Sequence, residues 1–392
     1  MSAPGVLMVT GAYWPELSGG GLQCRTMIHA LESQFAFRVL TTCTDRTLAR
    51  EEIVEGTPVT RLFVNVGSPM SKLAVALRTI GFFMRTSSSY EIVHLHGFSQ
   101  KSILIAVLAR LFAKRLVVTI HTAGQDDPEG VRRRGALAYW SYRLADRLIA
   151  ISDLMADHYR AAGLDPRKLR VCPNGIDTAR FHPSTPAERA ALKAAIGGLP
   201  SQLPWILSVG FFSRDKSPDI LYEAWLLLRE RFGFETALVF AGATSSSYQE
   251  IDGSLITTIA ADAEARGMRH LVHFTGEVRD IERYYRAADA FVMPSIREAF
   301  GMALVEAMAS ALPVVATRID GVTDRIVQDG VTGDLVPPRD AAAIATALHR
   351  SFTDPVRAAA MGAAARRDVD ARYGVAASSE RWRRIYGELV QT

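Results

Sequence analysis

The chain has 392 residues, 48% of them apolar and 22% charged, which is the usage of a globular protein and enough length for two domains with separate cores. No run of 18 apolar residues is present, so no membrane-crossing helix is expected, and the opening MSAPGVLMVTG lacks the basic region that starts a signal peptide. The net charge of +4 is too small to indicate nucleic acid, but it is uneven: residues 1–200 carry 24 Lys and Arg against 16 Asp and Glu, net +8, and residues 201–392 carry 21 against 25, net −4. A basic first half suits an anionic membrane surface or a charged acceptor. Three cysteines, Cys24, Cys43 and Cys172, have no metal or redox spacing and fit a reducing cytosol.

Residues 6–10 read as a buried strand. A glycine-rich turn follows, ending in Gly19-Gly20-Gly21, and residues 22–31 read as a helix. Glycines before a helix let backbone approach a ligand, and the helix start favours a phosphate; the spacing is not that of the dinucleotide fingerprint. Strands are predicted over 37–42 and 59–64. Residues 71–86 (SKLAVALRTIGFFMRT) read as an apolar helix with Lys72, Arg78 and Arg85 on it, either a core-facing helix or one that lies on a membrane surface.

The strand 92–96 (IVHLH) ends in two histidines, and the strand 116–120 is followed by His121. At the carboxyl end of a parallel strand a His is placed for function. His121 takes that reading, His96 is placed beside it, and His94 reads as structural. Residues 124–135 form a charged loop, Ser152 and Asp153 a helix cap, and Asn174-Gly175 a tight turn. Residues 182–204, with prolines, a short Ala-rich helix and Gly197-Gly198, have a linker's composition.

The strand pattern restarts at Trp205. After Gly210 come Arg214 and Lys216, cations placed at a strand end to clamp a diphosphate, then a helix over 219–231. Further strands are expected at 237–241, before a Ser-rich loop, and from 271, with a turn at Val278-Arg279 and a helix over 280–288. The stretch 290–317 (AFVMPSIREAFGMALVEAMASALPVVAT) then reads as strand, loop, helix, strand. Its loop carries Glu298 and its helix, from Met302, carries Glu306. The amino end of that helix offers unpaired N–H groups and a partial positive charge, a ready anion site. A bare pair of glutamates eight residues apart is otherwise two solvated side chains. Residues 341–384 read as helical.

This last stretch, with Pro294-Ser295, Phe300-Gly301, Glu306-Ala307-Met308 and Leu312-Pro313-Val314 around the glutamates, resembles the donor-sugar signature of the retaining family 4 glycosyltransferases (glycosyl transferases group 1). Asn174-Gly175-Ile176-Asp177 and residues 329–338 resemble that family too. The resemblance implies an α/β GT-B fold: two facing Rossmann-like domains, here 1–190 on the acceptor side and 205–370 for the nucleotide sugar, joined by 191–204. A C-terminal helix, 371–392, would cross back to the first domain.

The resemblance also implies the site. Glu298 would contact the sugar hydroxyls, and the backbone of Ala299, Phe300, Gly301, Met302 and Ala303 would hold sugar and phosphate. Glu306 would bind the ribose, Val278 and Arg279 the base, Gly20 and Gly21 would approach the diphosphate, and His121 would orient sugar or acceptor. Lys216 and Arg214 would neutralise the leaving group. Two departures stand out. Phe211 replaces the arginine that relatives carry after this glycine, with Arg214 taken as its substitute, and Asp320 replaces a glycine before Gly321.

The implied reaction is transfer of a sugar from a nucleotide-diphosphate sugar to an acceptor hydroxyl, with retention and without cofactor or metal, in the cytoplasm or at the inner face of the membrane, and with no nucleic acid as partner. The alternatives are another nucleotide-sugar enzyme of this fold, an epimerase or phosphorylase, or a non-catalytic protein that binds nucleotide sugars or polyanions.

Overall fold

A computed structural model describes residues 3–16, 18–243 and 251–391. The Ser-rich segment 244–250 lies outside these, as does Leu17 within the glycine-rich turn. The chain divides into two units, residues 1–175 with 375–392, and residues 176–374. The division therefore precedes the stretch with linker composition, whose helix Pro186–Ile196 belongs to the second unit. A buried ion pair fixes it there: Lys193 Nζ lies 2.6 Å from Asp289 Oδ2 and donates to the Leu203 carbonyl at 2.8 Å. The Trp205 N–H donates to the same carboxylate oxygen.

Unit 1 contains β1 (Gly5–Thr10), β2 (Ala36–Cys43), β3 (Glu51–Val54), β4 (Thr57–Phe63), β5 (Ile92–His96), β6 (Arg115–Ile120), β7 (Arg147–Ala150) and β8 (Leu169–Val171). They form one sheet in the order β3-β4-β2-β1-β5-β6-β7-β8, parallel except for the edge strand β3, which pairs antiparallel to β4. Every residue of β1 and β5 is buried, as expected of parallel strands covered on both faces, and this is why β1 appears in the sequence as an apolar run, while β5 buries two histidines among its apolar residues. The chain reverses its direction of travel across the sheet between β1 and β5, which pair as Val6 with Ile92 through Val9 with Leu95. Residues at the carboxyl ends of these two strands thus flank a switch point, where open α/β sheets bind ligands.

Unit 2 repeats the plan with β9 (Trp205–Val209), β10 (Ala237–Ala241), β11 (Val272–Phe274), β12 (Ala290–Met293), β13 (Val314–Thr317) and β14 (Asp334–Val336). All are parallel, in the order β11-β10-β9-β12-β13-β14. Here the switch point lies between β9 and β12, with Ala290 opposite Ile206 and Phe291 opposite Leu207. The strand β10 is followed by Gly242, at which a Cβ would stand 2.1 Å from the Gly210 carbonyl oxygen. Only glycine lets the ends of β9 and β10 come this close.

Two sequence expectations change. The charged loop 124–135 contains a helix, Pro128–Arg133, because Asp127 caps it by accepting from Gly130 N–H and also bonds His158 Nδ1 at 2.8 Å. The helical stretch 341–384 is three helices, Ala341–Thr353, Pro355–Arg372 and Val375–Val390. The first two part at Asp354-Pro355, where a proline begins a new helix, and the last two at Tyr373-Gly374. The helix Pro69–Thr86 has two apolar faces: Val75, Thr79, Phe82 and Phe83 are buried, while Met70, Leu73, Leu77 and Met84 are each more than half exposed.

The helix Val375–Val390 lies in unit 1, with Trp382, Ile385, Tyr386 and Leu389 in that unit's core. The Tyr386 hydroxyl meets His94 Nδ1 at 2.7 Å, and its ring stands edge-on to Phe35 at 5.3 Å. Tyr386→Ala should therefore destabilise unit 1 by about 3–5 kcal/mol, and Tyr386→Phe by about 1–3 kcal/mol through the hydrogen bond alone. Urea unfolding of the intact chain measures both.

Candidate functional site

Unit 2 assembles its site at its switch point. The chain leaves β9 at Gly210, makes one 3-10 turn over Arg214–Lys216, passes Ser217 in the left-handed conformation (φ +46°) and starts a helix at Pro218. That turn folds the stem of Lys216 over Gly210: a Cβ at Gly210 would lie 3.7 Å from Lys216 Cδ. The Lys216 ammonium then meets Glu298, which arrives on the loop after β12, with Nζ 2.5 Å from Oε1. The same oxygen accepts from Ser295 Oγ at 3.0 Å. Glu298 is largely enclosed, 12% exposed against 30% for Lys216, so its two hydrogen bonds hold it in one orientation.

Beyond Glu298 the chain turns at Gly301 (φ +96°), which caps the helix Met302–Ala309 without any side-chain hydrogen bond. A side chain at Gly301 would be strained at this φ. Gly301 itself supplies no capping side chain, and a helix carries a partial positive charge at its amino end, which favours an anion. Phe300 is buried edge-on against Tyr373, with ring centres 5.7 Å apart, so only its backbone remains for a ligand. Ala299, Met302 and Ala303 are partly exposed around the cap.

Glu306 lies one turn further along the helix. The Tyr285 hydroxyl donates to its Oε2 at 2.8 Å and stands 3.2 Å from the Ala303 carbonyl. Burial raises the Glu306 carboxyl above the usual range, opposed by the Tyr285 bond and by Arg180. Val278 and Arg279 occupy the turn after β11. The Arg279 carbonyl accepts from Arg180 Nη2 at 3.0 Å, and Arg180 also pairs with Glu282 at 2.7 Å.

The structure does not bring Arg214 to Lys216 and Glu298. Its side chain is 81% exposed and pairs with Asp252 at 3.2 Å. Two residues apart on a 3-10 turn, Arg214 and Lys216 point in different directions, so in this arrangement Arg214 meets Asp252 and Lys216 meets Glu298. Asp320 is exposed in the turn before Gly321.

In unit 1, Gly20, His96 and His121 meet at the other switch point. A Cβ on Gly20 would come within 3.9 Å of His96 Cβ and His121 Cδ2. His96 Nδ1 lies 3.3 Å from His121 Nε2, and the two rings stack at 5.4 Å and 14°. Gly21 is different: its N–H is taken by the Ser18 hydroxyl at 3.0 Å, and a Cβ there would press the Ala12 carbonyl at 2.4 Å. Its lack of a side chain is already required by packing. His94 is structural, as expected, enclosed between Tyr386 and Thr119 at 2.7 Å from each.

Three residues to which the sequence reading gave no role complete these sites. Ser295 and Tyr285 fix the two glutamates. Lys101 places its ammonium between the Thr10 carbonyl and Thr42 Oγ1, at 3.1 and 2.8 Å, and burial lowers its pKa to about 8. A helical Lys next to a Gln and a Ser carries no local sign of this, because its partners lie on two other strands. Among the described residues no group of three His, Cys, Asp or Glu side chains is arranged to hold a metal.

Comparison with known proteins gives these clusters a context. The family described as glycosyl transferases group 1 matches residues 192–368, and the family described as glycosyltransferase family 4 matches residues 17–180. A D-inositol 3-phosphate glycosyltransferase of Kineococcus radiotolerans is 34% identical over 263 residues, covering 63% of this chain and 58% of the relative. The lipopolysaccharide core biosynthesis mannosyltransferase LpcC of Rhizobium leguminosarum bv. viciae is 32% identical over 262 residues, 66% of this chain and 69% of its own. Alignments to the first curated relatives span 58%, 65% and 64% of their lengths, less than two thirds. Among solved structures, Anabaena Alr3699/HepE in complex with UDP and glucose matches with a TM-score of 0.80 at 19% identity, over 99% of this chain and 100% of that one. Sucrose-phosphate synthase from Thermosynechococcus elongatus matches with a TM-score of 0.81 at 22% identity, over 99% of each.

The histidine cluster has a measurable consequence. Burial pushes His94 down to about 3, helped by nearby His121, and His121 down to about 4; His96 is also held well below the ordinary value by burial and both neighbours. In the unfolded chain these groups titrate near 6.5. Below that pH the unfolded state takes up protons the folded state refuses, so stability is complete above about 6.5 and is lost as pH falls towards 4. Urea midpoints should drop across this window, each histidine contributing up to about 1.4 kcal/mol per pH unit, and His94→Gln should flatten the slope.

Proposed function

Because this chain belongs to the group 1, family 4 glycosyltransferases and has their GT-B fold, we propose that it transfers a sugar from a nucleotide-diphosphate sugar to an acceptor hydroxyl. The observation that carries this reading is the Lys216–Glu298 pair at 2.5 Å, set beside a glycine-led helix start at the switch point of a parallel sheet. A cation and a helix amino end favour the charge that builds on a departing diphosphate, and such preorganised electrostatics supply most of the acceleration in many enzymes. A carboxylate held by two hydrogen bonds orients sugar hydroxyls and limits lost motion at the reacting carbon.

In this proposal Lys216 and the backbone from Ala299 to Ala303 receive the phosphates, Glu298 holds the sugar, and Glu306 holds the ribose through the oxygen that Tyr285 leaves open. Val278 and Arg279 border the base. Gly20 is the candidate in unit 1 for close backbone approach to a diphosphate, and His121 for orienting sugar or acceptor. Arg214 contributes only if it exchanges Asp252 for phosphate. The acceptor hydroxyl attacks from the face the leaving group departs, with a phosphate oxygen taking its proton, so the anomeric configuration is retained and no carboxylate nucleophile is used. The step as proposed uses neither metal nor organic cofactor; the nucleotide sugar is a co-substrate. Relatives named for inositol phosphate and for lipopolysaccharide core make glycan, lipid-linked and small-molecule acceptors the classes to assay.

Hydrolysis of a panel of nucleotide sugars without acceptor tests the reading. One donor should be turned over, and Glu298→Gln or Lys216→Ala should lower its rate about 10²–10³-fold while the thermal midpoint moves by only a few degrees. No turnover across the panel, or equal rates in Glu298→Gln, contradicts the proposal.

We also propose that unit 1 docks on an anionic membrane at the inner face. The support is the stripe Met70, Leu73, Leu77 and Met84, which lies opposite the buried face of its helix and is bordered by exposed Arg78 and Arg85. Among the described residues no helix is long and apolar enough to cross a membrane. Vesicles containing phosphatidylglycerol should sediment the protein and pure phosphatidylcholine should not. Leu73→Asp/Leu77→Asp should cut the bound fraction at least about tenfold, through lost apolar insertion and added negative charge.

A further inference from the structure

Three histidine rings run in file through unit 1 from its core towards its surface. His94 is enclosed, with both nitrogens bonded to hydroxyls. His96 lies against it with ring centres 4.3 Å apart, and His121 stacks on His96. Between the outer two a single hydrogen bond joins His96 Nδ1 and His121 Nε2. The other nitrogen of His96, Nε2, is buried with no hydrogen-bond partner among the described residues. His121 is partly exposed, and its Cδ2 edge faces Gly20, so its Nδ1, on the other side of the ring, is turned away from that glycine.

A neutral imidazole carries one donor and one acceptor nitrogen, and burial keeps these rings neutral. The shared bond therefore has two forms. If His121 Nε2–H donates to His96 Nδ1, the proton of His96 sits on Nε2, and a buried N–H is left with no acceptor. If His96 Nδ1–H donates to His121 Nε2, only a lone pair is left unmatched in the core. Orphaned buried N–H groups are the rarer case in proteins, so the second form prevails. The hydrogen bond at one nitrogen thereby decides the proton at the other.

We propose that His96 is a positioning residue: by donating from Nδ1 to His121 Nε2 it keeps the His121 proton on Nδ1, so that His121 presents a fixed hydrogen-bond donor to a ligand oxygen and has no free lone pair with which to act as a base. The oxygen it meets, a hydroxyl of the sugar or acceptor, rests on the glycosyltransferase reading; the tautomer does not.

Long-range ¹H–¹⁵N correlation on histidine-labelled protein reads the tautomer directly, with the His121 signals identified by their loss in His121→Asn. The expected spectrum has the His121 proton on Nδ1 in the unsubstituted protein. It should persist in His96→Asn, whose amide nitrogen occupies the place of Nδ1 and still donates. In His96→Leu a fraction of His121 should move its proton to Nε2, with the His94 signals unchanged as a check on folding. A His121 proton on Nε2 in the unsubstituted protein, or an unaltered His121 in His96→Leu, overturns the proposal. Once a donor is known, His96→Leu should lower turnover about 10-fold to 100-fold and His96→Asn should restore most of it. A protein that turns over no donor contradicts the glycosyltransferase reading and leaves the tautomer result standing.

Discussion

The ion pair between Lys216 and Glu298 ties together the two strands between which the second sheet reverses its order. Lys216 comes from the turn after β9 and Glu298 from the loop after β12. Neighbouring strands with their connections leaving in opposite directions leave a crevice at their carboxyl ends, and the pair joins the segments that follow those two strands. Much of the local backbone serves this meeting. Gly210 and Gly242 bring β9 and β10 together, Ser217 in the left-handed region directs the chain into the next helix, and Gly301 turns it into the helix after Glu298. A surface ion pair contributes little to stability. Here the value of the contact is positional: two opposite charges are fixed against each other, with Glu298 in the loop just before the start of the helix Met302–Ala309.

The first sheet applies the same rule with different chemistry. At its switch point stand a glycine, two stacked imidazoles and a lysine whose partners are neutral oxygens. Burial keeps the imidazoles uncharged at neutral pH, so this cluster offers hydrogen bonds and shape. Its anchor is remote in sequence. Tyr386, near the end of the chain, bonds His94, so the last helix is part of the packing beneath the histidines.

What the sequence revealed and what it hid follow from the range of the interactions. Parallel strands buried along most of their length are largely apolar in sequence, so β1, β5, β6, β9, β12 and β13 were legible. The edge strand β3, with Glu51, Glu52 and Ile53 exposed, has no such run. The positions of Glu298, Lys216 and the helix start at Gly301 were legible because strand, loop and helix follow each other directly. Directions of side chains were not. Arg214 and Lys216 are two residues apart, and a single 3-10 turn sends one to Asp252 and the other to Glu298. Nor could the chain reveal that Gly21 is demanded by the Ala12 carbonyl, that Tyr285 holds Glu306, or that the bond between His96 and His121 leaves His96 Nε2 alone, since each depends on atoms brought together only by folding.

The central claim is that a nucleoside diphosphate settles against Lys216 and the amino end of the helix Met302–Ala309. Hydrogen–deuterium exchange of the intact chain with and without UDP, GDP and ADP tests it most directly. One of the three should slow exchange in residues 210–217 and 298–305 together. Protection confined to other segments, or none with any of the three at millimolar concentration, would contradict the account.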